Sequence, residues 1–273
     1  MYIGVSSGCF YPLRTEECID MVALSGVKYA EIFFNTDSEL DEEYLSELKK
    51  SADEKGIQII SVHPFTSAIE TFMFFPPSGY KLADSVKYYE KYFRACQILG
   101  AEFVVIHGCH TTAEYMDMQE YARIMNILSA KAREYGVWIS QENVVRFKCG
   151  YIENLEEFLK YADEDILFTL DVKQSFRAQQ DIWEIMSMMG NRISHMHISD
   201  YSGNKDSLLP GQGDFDFKKL FEQAEKYNVK YAFIEVYNDR LGSMERLRDS
   251  IKLMEGYNTY CFKNKNSIKL IQE

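Results

Sequence analysis

The feature that most limits what this chain can become is a recurring turn: Ser25-Gly26-Val27, Lys55-Gly56-Ile57, Leu99-Gly100-Ala101, Tyr135-Gly136-Val137 and Met189-Gly190-Asn191. In each, a helical pattern runs into a glycine and a short apolar run follows at once. A glycine just past a helix end accepts the left-handed backbone that closes the helix, so each turn marks a helix-to-strand joint. Eight short apolar runs fit this rhythm: 3–6, 29–34, 58–63, 103–107, 138–142, 166–171, 193–199 and 231–236. Strands this short, separated by helices, imply parallel pairing, because each connection must cross back to the same end of the sheet. Spread over 273 residues, they give units of about 34 residues, the size of one strand, one helix and two loops. The expectation is a single-domain α/β protein, a (β/α)8 TIM barrel over residues 1–256, followed by a C-terminal tail, 257–273. No G-x-G-x-x-G element follows the first run, which disfavours a doubly wound open sheet.

Composition narrows the partners. With 42 Asp+Glu against 30 Lys+Arg, the formal net charge is −12, the wrong sign for nucleic acid or an anionic membrane surface. The N-terminal stretch has no basic region before an apolar one, and no apolar run approaches the length of a membrane span. A cytoplasmic protein is expected. Six cysteines without C-x-x-C spacing read as reduced thiols.

Helical spacing puts Val86, Tyr89, Phe93 and Cys96 on one stripe, and Tyr121, Ile124, Met125, Leu128 and Ala132 on another. Both stripes read as core-facing. Residues 64–80 depart from the regular unit and carry Phe65, Phe72, Phe74 and Phe75. They suit either a lid or subunit contact, or a hydrophobic loop folded over the barrel mouth; with the tail they leave a homo-oligomer open.

In a TIM barrel, chemistry sits at the C-terminal rim and alternate residues face the interior. By that parity Trp138, Ser140 and Glu142 share the inner face, as do Leu167, Thr169 and Asp171, then Ile193, His195 and His197, then Tyr231, Phe233 and Glu235. Glu142, Asp171, His197 and Glu235 therefore end four successive strands on one rim. Three carboxylates brought together repel one another and lose hydration, a cost that a bound divalent cation removes. One imidazole with three carboxylates suits Mn²⁺, Co²⁺ or Mg²⁺ better than a structural zinc site; Zn²⁺ with an open position fits as well. For any one member alone, the simpler reading is a helix cap or an ion pair.

All five histidines fall on or just after the runs. His63 and His107 reach the same rim and read as substrate contacts, second-metal ligands or hydrogen-bonded core residues, while His195, one pleat deeper, reads as support for the metal site. Arg146, Lys148, Lys173, Arg177 and Lys205 follow strands five to seven. They suit a substrate carboxylate or phosphate, or are solvated loop charge.

In their order and register, these motifs resemble the sugar phosphate isomerase/epimerase superfamily, the xylose isomerase-like TIM barrels, which also contain the endonuclease IV type. The carriers are Ser61-Val62-His63, Val105-Ile106-His107-Gly108, Gln141-Glu142-Asn143, Leu170-Asp171, the run from His195 to Asp200, the loop from Leu209 to Phe217, and Ile234-Glu235-Val236. The resemblance implies one divalent ion, Mn²⁺ first, held by Glu142, Asp171, His197 and Glu235. It implies that the two glutamates act as acid and base in a sugar isomerase or epimerase working through an enediolate. His63, His107, Gln174, Lys173 and Arg146 are then candidate substrate contacts. The same ligand set serves a lyase or dehydratase acting on a keto-inositol or oxidised glycoside, and a sugar-binding barrel without turnover remains the alternative from another class. Two departures stand out: Gln174 replaces the histidine common three residues after the strand-six aspartate, and residues 201–209 lack the Asp-x-His pair of the endonuclease type. The expected partner is a small carbohydrate.

Overall fold

The computed structural model describes residues 1–77 and 81–269, with side chains as far as Asn258. In chain order the strands are β1 (Tyr2–Ser6), β2 (Tyr29–Phe33), β3 (Gln58–His63), β4 (Phe103–Ile106), β5 (Trp138–Glu142), β6 (Leu167–Asp171), β7 (Ile193–Ile198), β8 (Asp200–Ser202), β9 (Lys205–Leu208) and β10 (Tyr231–Ile234). Eight of them close into a barrel in the order β1-β10-β7-β6-β5-β4-β3-β2, all pairs parallel. The other two, β8 and β9, form an antiparallel hairpin in the loop after β7, a stretch whose sequence carries no strand pattern.

The helices are α1 (Thr15–Ser25), α2 (Glu42–Glu54), α3 (Glu70–Phe74), α4 (Leu82–Leu99), α5 (Met118–Glu134), α6 (Ile152–Leu159), α7 (Val172–Arg177), α8 (Ile182–Met189), α9 (Phe217–Lys226), α10 (Asn238–Leu241) and α11 (Met244–Lys269). All five punctuating glycines adopt positive φ, from 53° at Gly190 to 92° at Gly26, which other residues reach only with strain. Both expected stripes are buried on α4 and α5. α5 starts at Met118, where the Asp117 carboxylate accepts the Glu120 N–H at 2.8 Å and caps it. The last helix runs through residue 257, so the backbone of the expected tail is helical to Lys269, while residues 270–273 lie outside the described residues. Asn258 ties that helix to the first residue by accepting the Met1 ammonium at 3.0 Å. Among the described residues, no helix is long and apolar enough to cross a membrane.

Residues 64–77 fold largely inward. Phe74 packs edge-on against Tyr89 at 4.6 Å and Phe75 stacks on Tyr121 at 4.8 Å, both fully buried, whereas Phe72 stays exposed. This segment is a wall of the barrel mouth; its continuation, 78–80, lies outside the described residues. The five described cysteines are buried and free.

The barrel interior is filled in layers. Its N-terminal end is an apolar plug of Ile60, Phe103 and Phe233, with Tyr29, Trp138, Leu167 and Tyr231 packed on it. Gly4 of β1 makes room for the plug, since a Cβ there would lie 2.6 Å from the Phe233 ring. The register between β2 and β3 skips Ile60, which lets that extra residue turn into the plug.

Candidate metal centre at the C-terminal rim

Polar residues gather at this end because the inner faces of the strands change character from one end of the barrel to the other. β5 finishes on Glu142, β6 on Asp171, and His197 lies opposite Asp171 in the β6–β7 register. Glu235 lies one residue past β10, yet its N–H still bonds the Ile198 carbonyl at 3.1 Å, holding it in line with the strand. The His197 Nδ1 lies 3.5 Å from Glu142 Oε1, 3.8 Å from Asp171 Oδ2 and 3.7 Å from Glu235 Oε2. One ligand atom from each of the four falls within 4.8 Å of every other.

Burial makes this cluster costly. Glu142, Asp171 and His197 are at most 2% exposed, and Glu142 Oε2, Asp171 Oδ2 and His197 Nδ1 have no hydrogen-bond partner. A buried polar atom without a partner costs about 1–3 kcal/mol, more if charged. Here two of them, Asp171 Oδ2 and His197 Nδ1, lie 3.8 Å apart, while Glu142 Oε2 faces His107 and His63. Burial pushes the Asp171 carboxyl up to about 7, against the pull of Lys173, with the charges of Glu235 and Glu142 adding to the rise. Burial also acts to raise Glu142, but the imidazoles of His107, His197 and His63 outweigh it and hold that carboxyl well below the usual range. A hard oxygen-rich donor set with one imidazole nitrogen fits a divalent cation, and Asp171 Oδ2 and His197 Nδ1 are placed as donors for one.

Asp171 serves two purposes with two oxygens. Its Oδ1 accepts the Gln174 N–H at 2.9 Å and caps α7, while Oδ2 faces the cluster. Asn143 locks its backbone from the side, taking the Asp171 N–H at 2.7 Å and donating to the Asp171 carbonyl at 3.0 Å.

A sequence profile of the xylose isomerase-like TIM barrel family matches residues 19–257. The chain belongs to that family. An inosose dehydratase of Clostridium perfringens is 21% identical over 259 residues, covering 82% of each chain. An uncharacterised protein, MJ1614, of Methanocaldococcus jannaschii is 24% identical over 158 residues, 56% of this chain and 62% of that one, so the match spans less than two thirds of that relative. Among solved structures, a D-tagatose 3-epimerase-like protein superposes with a TM-score of 0.79 at 19% identity, over 97% of this chain and 99% of that one. At that identity the likeness shows the shared fold.

Within this family barrel, His63 and His107 reach the rim beside Glu142. Their Nε2 atoms are 3.1 Å apart and lie 3.6 and 3.1 Å from Glu142 Oε2, making a second group close enough to share an ion. The two rings are pushed opposite ways. Burial lowers His107, whereas at His63 the neighbouring carboxylates, Glu142 first, overcome burial and raise it. Lys173, only 5% exposed, places Nζ 2.6 Å from Glu235 Oε2 and 3.6 Å from Asp171 Oδ2. It also lines a cleft of about 290 Å³ with Gly8, Tyr11, Phe33, Glu235, Val236 and Tyr237.

The remaining two candidate contacts are not brought to the cluster. Gln174 turns its Oε1 to the Val145 N–H at 3.2 Å, bridging α7 to the loop after β5. Arg146 is exposed at a left-handed φ of 72°, and its carbonyl accepts the Thr111 N–H. Arg177 is spent on Asp206 of the hairpin and on the Tyr237 hydroxyl, so it braces the cleft wall.

Two buried carboxylates escape a reading confined to strand ends. Glu31, on β2 below the rim, is fully buried and meets both His195 and His197. Glu70, on α3, accepts the Gly108 N–H at 2.5 Å and the Tyr89 hydroxyl at 2.6 Å, and burial pushes it up to about 8. It pins the turn after His107, where Gly108 has φ 85° and a Cβ would collide with Tyr121. The parity of Tyr29, Glu31 and Phe33 was a usable signal for the first; a loop position gave none for the second.

Proposed function

We propose that this barrel is a divalent-metal-dependent sugar isomerase or epimerase acting on a small carbohydrate through an enediolate, with Mn²⁺ the expected ion. The observation that carries the reading is the meeting of Glu142, Asp171, His197 and Glu235, one ligand atom from each within 4.8 Å of every other, with Asp171 Oδ2 and His197 Nδ1 buried and without hydrogen-bond partners, beside a cleft that Glu235 lines. Glu142, Asp171, His197 and Glu235 would hold the ion. When bound, it would polarise a carbonyl and neighbouring hydroxyl of the sugar and so acidify the C–H between them.

The residues then divide the work. Glu142 and Glu235, 3.5 and 3.7 Å from His197 Nδ1, exchange the proton at that carbon, one removing it and the other returning it. The imidazoles of His63 and His107, packed on Glu142, keep it ionised and ready to accept. Lys173, bonded to Glu235, keeps that carboxylate low against burial and offers an N–H to a substrate oxygen in the cleft. Tyr11, Phe33 and Tyr237 supply apolar faces for the sugar carbons. The relatedness to an inosose dehydratase supports a second outcome, elimination from a keto-inositol, which begins with the same removal of an α-proton.

The test is solvent deuterium entering the substrate carbon across a panel of ketoses, aldoses, inososes and keto-glycosides, with metal content measured in parallel. Incorporation without loss of water identifies isomerisation or epimerisation; loss of water identifies the dehydratase. Glu142→Gln should abolish exchange. Binding of a sugar by both forms with exchange by neither would instead identify a binding barrel.

A further inference from the structure

Beneath the rim lies a polar layer that the proton-transfer scheme does not use. Glu31 projects from β2 into the barrel axis and is fully buried. Its Oε2 is 3.0 Å from His197 Nε2, 3.3 Å from His195 Nε2 and 2.8 Å from Ser61 Oγ, and its Oε1 accepts Ser6 Oγ at 3.2 Å. One carboxylate thus gathers donors from β1, β3 and β7, and a neutral imidazole can give it only one proton, from Nε2.

That constraint reaches the rim. With the proton of His197 on Nε2, the lone pair is on Nδ1, the nitrogen that faces Glu142, Asp171 and Glu235 and has no partner. We propose that Glu31 is a positioning residue for the metal centre: it fixes His197 in the Nε2–H tautomer, aims Nδ1 at the ion, and strengthens that nitrogen as a donor by placing a full negative charge behind the ring. Glu31, His195 and His197 are also close enough together to share an ion of their own. Hydrogen bonding argues against that use, because every Glu31 oxygen already has a donor. The unpartnered nitrogen is on the opposite side of His197.

This role rests on the metal-centre reading, and the experiment separates the two. Titration calorimetry with Mn²⁺ is run on wild type and on Glu31→Gln, each shown folded by circular dichroism. Glu31→Gln should bind about 10–100-fold more weakly, the usual consequence of losing such an outer partner. Equal affinity, within twofold, would overturn the role of Glu31 alone; no uptake by wild type would remove the metal centre and this role with it. A second measurement needs no variant. In Zn²⁺-loaded wild type, long-range ¹H–¹⁵N spectra should place the His197 proton on Nε2 and the metal-shifted resonance on Nδ1. A proton on Nδ1 would overturn the proposal even if Glu31→Gln fails to fold.

Discussion

The two ends of the barrel interior are built from the same strands in the same parity and share almost nothing else. At the N-terminal end, Phe103, Phe233, Trp138 and Leu167 fill the bore with rings and aliphatic carbon. Two or four residues further along those strands, the same inner face carries His107, Glu235, Glu142 and Asp171. The plug gains free energy from burial. The rim spends it, leaving three buried polar atoms without partners. Between them lies the layer of Ser6, Glu31, Ser61, Ser140, Thr169 and His195, in which hydrogen bonds tie neighbouring strands together. On the proposed function, stability and chemistry are separated along the barrel axis, and variants at each end should show it.

The largest effect belongs to the rim. Glu142→Gln should lower the rate of solvent deuterium exchange by about 10²–10⁴-fold, the usual contribution of a positioned acid or base, with little change in the denaturation midpoint. A variant that unfolds instead would show that the rim also carries the fold. At the plug, Phe233→Ala should cost about 3–5 kcal/mol in urea unfolding, because a fully buried ring leaves a cavity that the rigid barrel cannot close. Its Mn²⁺ affinity should stay within threefold of wild type, and a larger loss would couple the two ends. A cation should in turn convert the rim from burden to support. At a hundred times its dissociation constant, Mn²⁺ should raise the unfolding free energy by about 2.7 kcal/mol, a gain that a chelator removes and Asp171→Asn largely forfeits.

How much of this was legible in the sequence follows the same axis. The helix-to-strand glycines and the parity of the last strand residues read correctly because local backbone and a period of two are properties of the chain itself. Asp171 reads from sequence as either a helix cap or a ligand; Oδ1 caps α7 and Oδ2 faces His197. Ser194 broke the parity: the β6–β7 register skips it, and its hydroxyl turns inward to Ser140 at 2.7 Å. No single-strand pattern contains that shift, which depends on how two strands pair. Glu31 sits two residues short of its strand end, so its importance appears only when His197 from the far side of the sequence is brought against it. Gln174, on α7, and Arg146, in the loop after β5, follow the expected strands, but Gln174 accepts the Val145 N–H and Arg146 lies in solvent, directions that no sequence position carries.

Glu70 offers the finest test of the separation, because it is buried near the rim without joining the carboxylate cluster. Burial pushes it up to about 8, opposed by the Gly108 N–H and the Tyr89 hydroxyl. An acid whose folded value is raised keeps its proton in the folded chain after the unfolded chain has lost it. Stability therefore falls as pH rises from the unfolded value near 4.5 through the folded one, and the loss between pH 6 and 8 should be on the order of 2 kcal/mol. Glu70→Gln keeps an acceptor for Gly108 and an N–H for the Tyr89 oxygen, so it should fold and flatten that part of the profile in thermal unfolding of chelator-treated protein. An unchanged slope would assign the loss to the rim carboxylates instead, placing the pH sensitivity of the fold in the layer of the proposed metal centre.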